Sequence, residues 1–86
     1  MRNSETDLEE FIIGYDYFGL SGSAEVKRRK WRSEVFYQCF LQAMQQEIDI
    51  KYIVEQGQAY WIDMAIGSTT PLAQILGQAI ENKLTS

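Results

Sequence analysis

The sequence has no histidine, one cysteine (Cys39) and one proline (Pro71). Without histidine, the chain cannot form a Ser-His-Asp or Cys-His catalytic arrangement, a histidine-containing zinc site or the usual general base of neutral pH. A single cysteine cannot form a disulfide within the chain, and Cys39 lies in an apolar pattern that predicts a buried packing thiol. Any chemistry would therefore depend on carboxylates, lysine or tyrosine.

The sequence also lacks a basic N-terminal start followed by an apolar run, and it has no long uninterrupted apolar stretch. The first feature would indicate a secretory signal and the second a transmembrane helix. The apolar content of 45% is nevertheless sufficient for a folded core. We therefore expect one domain spanning residues 1–86, located in the cytoplasm and without membrane contact.

The net charge of −4 conceals an uneven distribution along the chain. Residues 1–25 carry six acids and one base, and residues 34–86 carry six acids and two bases. Residues 26–33 carry five bases and no acid. A compact basic cluster, KRRKWR, is thus flanked by two acidic segments.

Two segments in the first half of the chain have the spacing of amphipathic helices. In residues 7–18, apolar side chains recur at intervals of three and four, and Thr6 with Glu9 forms a capping box. The strand-forming composition of EEFIIGYDYF leaves a strand as the alternative there. Across residues 24–46, a wide apolar stripe that includes Trp31 predicts a helix of about six turns.

Residues 48–66 alternate apolar and polar side chains on both sides of QGQ, which predicts a β-hairpin. A two-residue loop would place Asp63 on the apolar face of the hairpin. We therefore expect an odd loop centred on Gly57, because this register makes one face wholly apolar. It also sets Lys51 opposite Asp63, a cross-strand pair that contributes roughly 0.2–1 kcal/mol.

The last segment predicts a helix over residues 70–84, with Thr70 as its N-cap and Pro71 at its first position. The expected element order is α-α-β-β-α. Because a two-stranded sheet is marginal alone, its apolar face should rest on the helices. The sequence thus predicts a small single-domain α+β fold with a β-hairpin packed on helices.

Glu34, Asp63, Glu81 and Lys83 resemble, in order and approximate spacing, the core of the PD-(D/E)xK nuclease superfamily. The resemblance implies that Asp63 and Glu81 bind magnesium, that Lys83 positions the attacking water and that Glu34 assists metal binding. That core needs Glu81 and Lys83 on a strand, whereas residues 70–84 have a helix pattern. We therefore predict a protein that is not an enzyme and uses no metal or cofactor.

The basic cluster is a second candidate site. Basic side chains around an aromatic ring can neutralise phosphates and stack a base, which is typical of nucleic-acid binding. The alternative is pairing with the acidic N-terminal segment. The residues concerned are Lys27, Arg28, Arg29, Lys30, Trp31 and Arg32.

The main functional prediction is a protein-binding surface. In the expected register, an aromatic and an aliphatic side chain share the outer face of the hairpin, and aromatic residues commonly anchor interfaces. By size and charge we predict a small acidic binding or inhibitory module of the phage-accessory or immunity type, which binds another protein or dimerises. The predicted contact residues are Trp61, Ile53, Lys51, Asp63, Glu9 and Glu10.

Overall fold

The computed structural model describes residues 9–85, which form a five-stranded antiparallel sheet and one helix. Each strand pairs with the next along the chain, giving the sheet order β1-β2-β3-β4-β5. No helix within residues 9–85 is long and apolar enough to cross a membrane. The elements are β1 (Glu10–Tyr17), β2 (Leu20–Trp31), β3 (Glu34–Leu41), β4 (Gln46–Glu55), β5 (Gln58–Asp63) and α1 (Pro71–Thr85).

The helix α1 packs on one face of the sheet, which we call the covered face. Side chains alternate between the two faces of a strand, so every second residue of each strand points toward α1. These inward residues and one stripe of α1 form a single core. Its buried members are Ile13, Tyr15, Ala24, Val26, Cys39, Leu41, Ile50, Trp61, Ala73, Leu76 and Ile80.

The predicted α-α-β-β-α arrangement is wrong, because both N-terminal helices are replaced by strands. Of the helix expected over residues 7–18, Glu10–Tyr17 form β1, whereas residues 7–8 and the Thr6 end of the capping box lie outside the described residues. The helix expected over residues 24–46 is most of β2, all of β3 and the turn that follows. Aromatic and β-branched residues fit the pleated surface of a sheet, and here cross-strand pairing outweighs the coincidental helical spacing.

Three of the hairpins close with two-residue turns, in which both central residues have positive φ. This is the geometry of type I′ turns, whose twist matches that of the flanking strands. The turn between β2 and β3 contains no glycine, so its sequence gives little indication of a chain reversal. The three pairs, with φ between 50° and 90°, are Phe18-Gly19, Arg32-Ser33 and Gln56-Gly57.

The β-hairpin expected within residues 48–66 is confirmed, but its predicted register is wrong. Ile50 lies opposite Asp63, and Tyr52 lies opposite Trp61. This is the two-residue loop that the apolar-face argument rejected. Asp63 is accommodated on this side because it is the last residue of β5, where its Oδ1 accepts a hydrogen bond from the Ala65 N–H at 2.9 Å.

The predicted C-terminal helix is confirmed as α1. Thr70 Oγ1 accepts a hydrogen bond from the Ala73 N–H at 3.0 Å, as expected of an N-cap. Pro71 occupies the first helical position, where its missing N–H would in any case have no intrahelical partner. The helix start was therefore predictable from local chemistry alone.

Trp61 joins α1 to the β5 edge of the sheet. Its indole lies against Gly77, where an added Cβ would be 2.1 Å from the Trp61 Cγ. Its backbone N–H donates to Gln74 Oε1 at 2.9 Å, and its Nε1–H donates to Glu81 Oε2 at 2.8 Å. Residues spaced three and four apart share one side of a helix, so one stripe of α1 receives this tryptophan.

We expect Gly77→Ala to destabilise the protein. Alanine normally stabilises a helix by roughly 1 kcal/mol relative to glycine. Here the methyl group would overlap the indole, so overpacking should produce a net loss of about 1–3 kcal/mol in urea unfolding. The exposed neighbour Gln78→Ala is the control and should stay within about 0.5 kcal/mol of wild type. An unchanged stability in Gly77→Ala would contradict the packing of Trp61 on this helix.

Candidate functional site

The face of the sheet opposite α1, which we call the open face, is not covered by any helix or strand of residues 9–85. One solvated face is common in antiparallel sheets and normally carries polar side chains. Here it also carries large apolar groups. Trp31, for example, is 66% exposed on this face.

A groove of about 500 Å³ lies on the open face near the turn between β2 and β3. Aromatic, thioether and charged side chains from three strands and the segment after β5 meet there. We call it the open-face groove. Its lining residues are Arg29, Lys30, Trp31, Glu34, Phe36, Gln38, Lys51 and Met64.

Two polar contacts position charged side chains of the groove. The Lys51 ammonium group forms an ion pair with the Glu34 carboxylate, and Arg29 Nε donates to Gln38 Oε1 at 3.3 Å. Both pairs join neighbouring strands. The charged groups therefore have defined places around the apolar surface of Phe36.

The positively charged side chain of Arg32 lies over the Trp31 ring. The Arg32 guanidinium carbon lies 5.5 Å from the centroid of the Trp31 ring, within cation–π range. Such a contact orients an exposed indole without burying it. The tip of the β2–β3 hairpin is therefore both aromatic and basic.

Asp49 lies opposite Gln38 on the open face. Burial raises the pKa of its carboxyl group, the negative charge of Glu47 adds to this, and the facing Gln38 partly offsets it. Its Oδ1 is buried without a hydrogen-bond partner. Next to Gln38, which lines the groove, the chain therefore holds a buried acceptor that has no donor among the described residues.

Cys39 lies on the covered face and is fully buried, which confirms the prediction of a packing thiol. Burial raises its pKa to about 12, and the negative charge of Asp49 adds to this effect. A thiol in this environment stays protonated at neutral pH, and the thiolate is the reactive form. Cys39 is therefore a core residue.

The structure separates the predicted partner-binding residues. Ile53 and Lys51 lie on the open face, as expected for the outer face of the hairpin. Trp61 lies on the covered face and is 5% exposed, so its predicted outward position is wrong. The expected pair of Lys51 with Asp63 is also wrong, because Lys51 binds Glu34.

The remaining predicted contacts lie near the ends of the sheet. Glu9 and Glu10 are exposed at the start of β1, and Glu10 lies opposite Lys27 of β2. Asp63 ends β5 and stabilises the following turn, where its carbonyl accepts the Gly67 N–H at 2.7 Å. These positions do not form one surface with Trp61.

The four residues of the nuclease resemblance are spread over β3, β5 and α1. Glu81 and Lys83 are on α1, and Glu81 accepts the indole N–H of Trp61. Glu34 is on β3, at the open face, paired with Lys51. Within residues 9–85, no group of three Asp, Glu or Cys side chains is arranged to hold a metal ion.

The basic cluster lies on a strand, so its side chains alternate between the two faces. Lys27, Arg29 and Trp31 point to the open face, whereas Arg28 lies opposite Tyr37 on the covered side. Sequence reasoning therefore found Trp31 and its basic neighbours but grouped them on a helix. It missed Phe36, although the strand-forming run EVFYQCFL contained the signal.

Comparisons with family models, curated proteins and solved structures find no match to this chain. The fold and its surfaces are therefore the basis for a functional assignment.

The raised pKa of Asp49 predicts a pH-dependent effect of Asp49→Asn. When a carboxyl group binds its proton more tightly in the folded state than in the unfolded state, its pKa is higher in the folded protein. The protein then loses stability as pH rises from the unfolded-state pKa through the folded-state pKa of that group. Relative to wild type, Asp49→Asn should therefore become more stable as pH increases from 3 to 7. Paired urea unfolding at the two pH values measures this difference. A gain for wild type at pH 7 would contradict the burial of this carboxylate.

Proposed function

We propose that this protein is a non-enzymatic module that binds a protein partner on the open face of its sheet. The observation that carries the proposal is the open-face groove. In it, aromatic and thioether groups lie among charged side chains that are held by contacts between strands, on a sheet face that no described element covers. Trp, Met and Arg are enriched at protein interfaces, and a few such residues usually supply most of the binding energy. Trp31, Phe36 and Met64 are the expected anchors.

The charges around the groove favour a partner with a matching pattern. Positive side chains, among them Lys27 and Arg29, lie toward the tip of the β2–β3 hairpin. Two negative side chains, Glu25 and Glu47, lie on either side of Phe40, farther from this tip. Complementary charges speed encounter and select orientation more than they add affinity. A partner with acidic groups near Trp31 and basic groups near the other end would fit this face.

This proposal revises the surface expected from sequence. Ile53 and Lys51 remain part of the contact region, and Trp31 replaces Trp61 as the aromatic anchor. Glu10 belongs to its rim, beside Lys27, whereas Glu9 precedes β1 and its carbonyl accepts the N–H of Arg28, a residue of the covered side. Binding of this kind can block a partner directly, which is the proposed inhibitory role of a phage-accessory or immunity-type protein.

Single-stranded nucleic acid is the second candidate, and one observation favours it. Lys27, Arg29 and Trp31 project from the same face of β2, and Phe36 lies opposite Arg29 on β3. Bases stack on exposed aromatic rings, and basic side chains beside them contact phosphates. The neighbouring Glu25 and Glu34 oppose this binding by repelling phosphates.

The protein-partner proposal predicts that Trp31→Ala combined with Phe36→Ser abolishes partner capture. Affinity capture from native host lysate, with nuclease treatment, should identify a protein bound by wild type. The double variant should bind the purified partner at least about 30-fold more weakly, because both expected anchors are lost. Leu20→Ser, at an exposed apolar residue outside the groove, is the matched control and should bind within about twofold.

An unchanged affinity in the double variant would contradict the proposed surface. Loss of capture after nuclease treatment, together with salt-dependent binding of an oligothymidine in fluorescence anisotropy, would instead support the nucleic-acid candidate. The two candidates therefore give different results in the same set of samples.

A further inference from the structure

A niche of about 310 Å³ lies on the α1 side of the sheet, at the C-terminal end of the helix. Two tyrosines and a tryptophan from three strands line it, and α1 supplies a carboxylate and a leucine. We call it the aromatic niche. Its lining residues are Tyr37, Tyr52, Trp61, Glu81 and Leu84.

The three rings of the niche meet at inclined angles. The Tyr37 and Trp61 centroids are 5.6 Å apart with an interplanar angle of 61°. Those of Tyr52 and Trp61 are 5.3 Å apart at 56°. Trp61 is backed by Gly77 and forms the floor, whereas Tyr52, which is 46% exposed, forms an accessible wall.

Two features of the lining favour a positively charged ligand. Aromatic faces carry the negative part of the ring quadrupole. The Glu81 carboxylate is held at the niche because its Oε2 accepts the Trp61 Nε1–H at 2.8 Å. Glu81 and Leu84 also belong to the last turns of α1, where the helix dipole favours a positive charge.

Two basic side chains lie near this region without lining the niche. Lys83 lines the grooves on the β1 side of α1. Arg28 lies opposite Tyr37 in the β2–β3 register. The lining of the niche itself thus combines three aromatic rings with one carboxylate and no basic group.

We propose that the aromatic niche binds a methylated ammonium group, such as a trimethyl-lysine side chain or a small quaternary amine. A methylated ammonium is a weakly hydrated cation with an apolar surface, and aromatic cages recognise it by cation–π attraction. The Glu81 carboxylate supplies the opposite charge. This site is independent of the proposed function, because it lies on the other side of the sheet from the open-face groove.

The first experiment separates cation–π binding from simple filling of an apolar niche. ¹H–¹⁵N NMR titrations of the full chain would use tetramethylammonium, choline and the neutral tert-butyl analogue of choline. Choline should shift the Trp61 indole N–H signal in a saturable manner, and the neutral analogue should bind at least about tenfold more weakly. Equal binding of choline and its analogue would overturn the proposal.

A second arm identifies the source of the cation. Peptides that contain trimethyl-lysine, or unmodified lysine at the same position, are titrated in the same way. Preference for the methylated peptide over free choline indicates a protein ligand, whereas equal affinities indicate a small molecule. Both results support binding of a methylated ammonium group in the niche. Absence of a saturable shift with all methylated probes would overturn it.

Two variants test the roles of the lining residues. Glu81→Gln keeps an acceptor for the Trp61 indole but removes the charge, so the affinity should fall about fivefold or more. Tyr52→Ala removes one wall and should reduce the affinity about threefold to tenfold. Tyr60→Ala, at a tyrosine on the open face, is the matched control and should leave binding unchanged.

The outcome of these variants is independent of the open-face groove. The combined Trp31→Ala and Phe36→Ser variant should bind choline as wild type does, so failure of either proposal is distinguishable from failure of the other. Unchanged affinity in both Glu81→Gln and Tyr52→Ala would overturn the assignment of the niche. Loss of affinity in Glu81→Gln, with the Trp61 indole signal otherwise preserved, would support a charge-dependent site.

Discussion

The contact between the Trp61 indole and Gly77 is the constraint on which the rest of this structure depends. The absence of a side chain at Gly77 lets the ring lie directly against α1. Hydrogen bonds to Gln74 and Glu81 then fix both the strand edge and the indole N–H to the same helix. Because side chains alternate along a strand, the inward position of Trp61 sets which residues of β4 and β5 are covered.

This choice of faces gives the two sides of the sheet different chemistry. On the covered side, the part of the tryptophan that is not packed on the helix faces Tyr37 and Tyr52, beside a carboxylate. On the open side, the basic cluster and Phe36 surround a groove that no described element fills. A shift of one residue in the β4–β5 register would turn Trp61 to the open side and remove the floor of the aromatic niche. The proposed cation site therefore depends on this packing contact, whereas the pairing of β2 with β3 forms most of the proposed protein-binding surface.

Local signals predicted α1, because Thr70 and Pro71 specify a helix start whatever surrounds them. Local signals did not predict β2 and β3, because the turn at Arg32-Ser33 lacks the glycine or asparagine that usually indicates a hairpin. The predicted register is wrong because Asp63 is not a mid-strand residue but ends β5 in a turn. For the candidate site, composition identified the basic cluster, but only the strand pairing showed which of its members share a face with Phe36.

The most direct test of this account is an NMR measurement of the β4–β5 register together with the position of the indole. The Trp61 N–H points to Gln74 and away from β4, so Tyr52 and Trp61 form a non-hydrogen-bonded pair with closely spaced α-carbons. We predict a strong Hα–Hα NOE between Tyr52 and Trp61, and NOEs from the indole ring to the Gly77 Hα protons. An Hα–Hα NOE between Tyr52 and Ile62, with no indole contact to Gly77, would contradict the account.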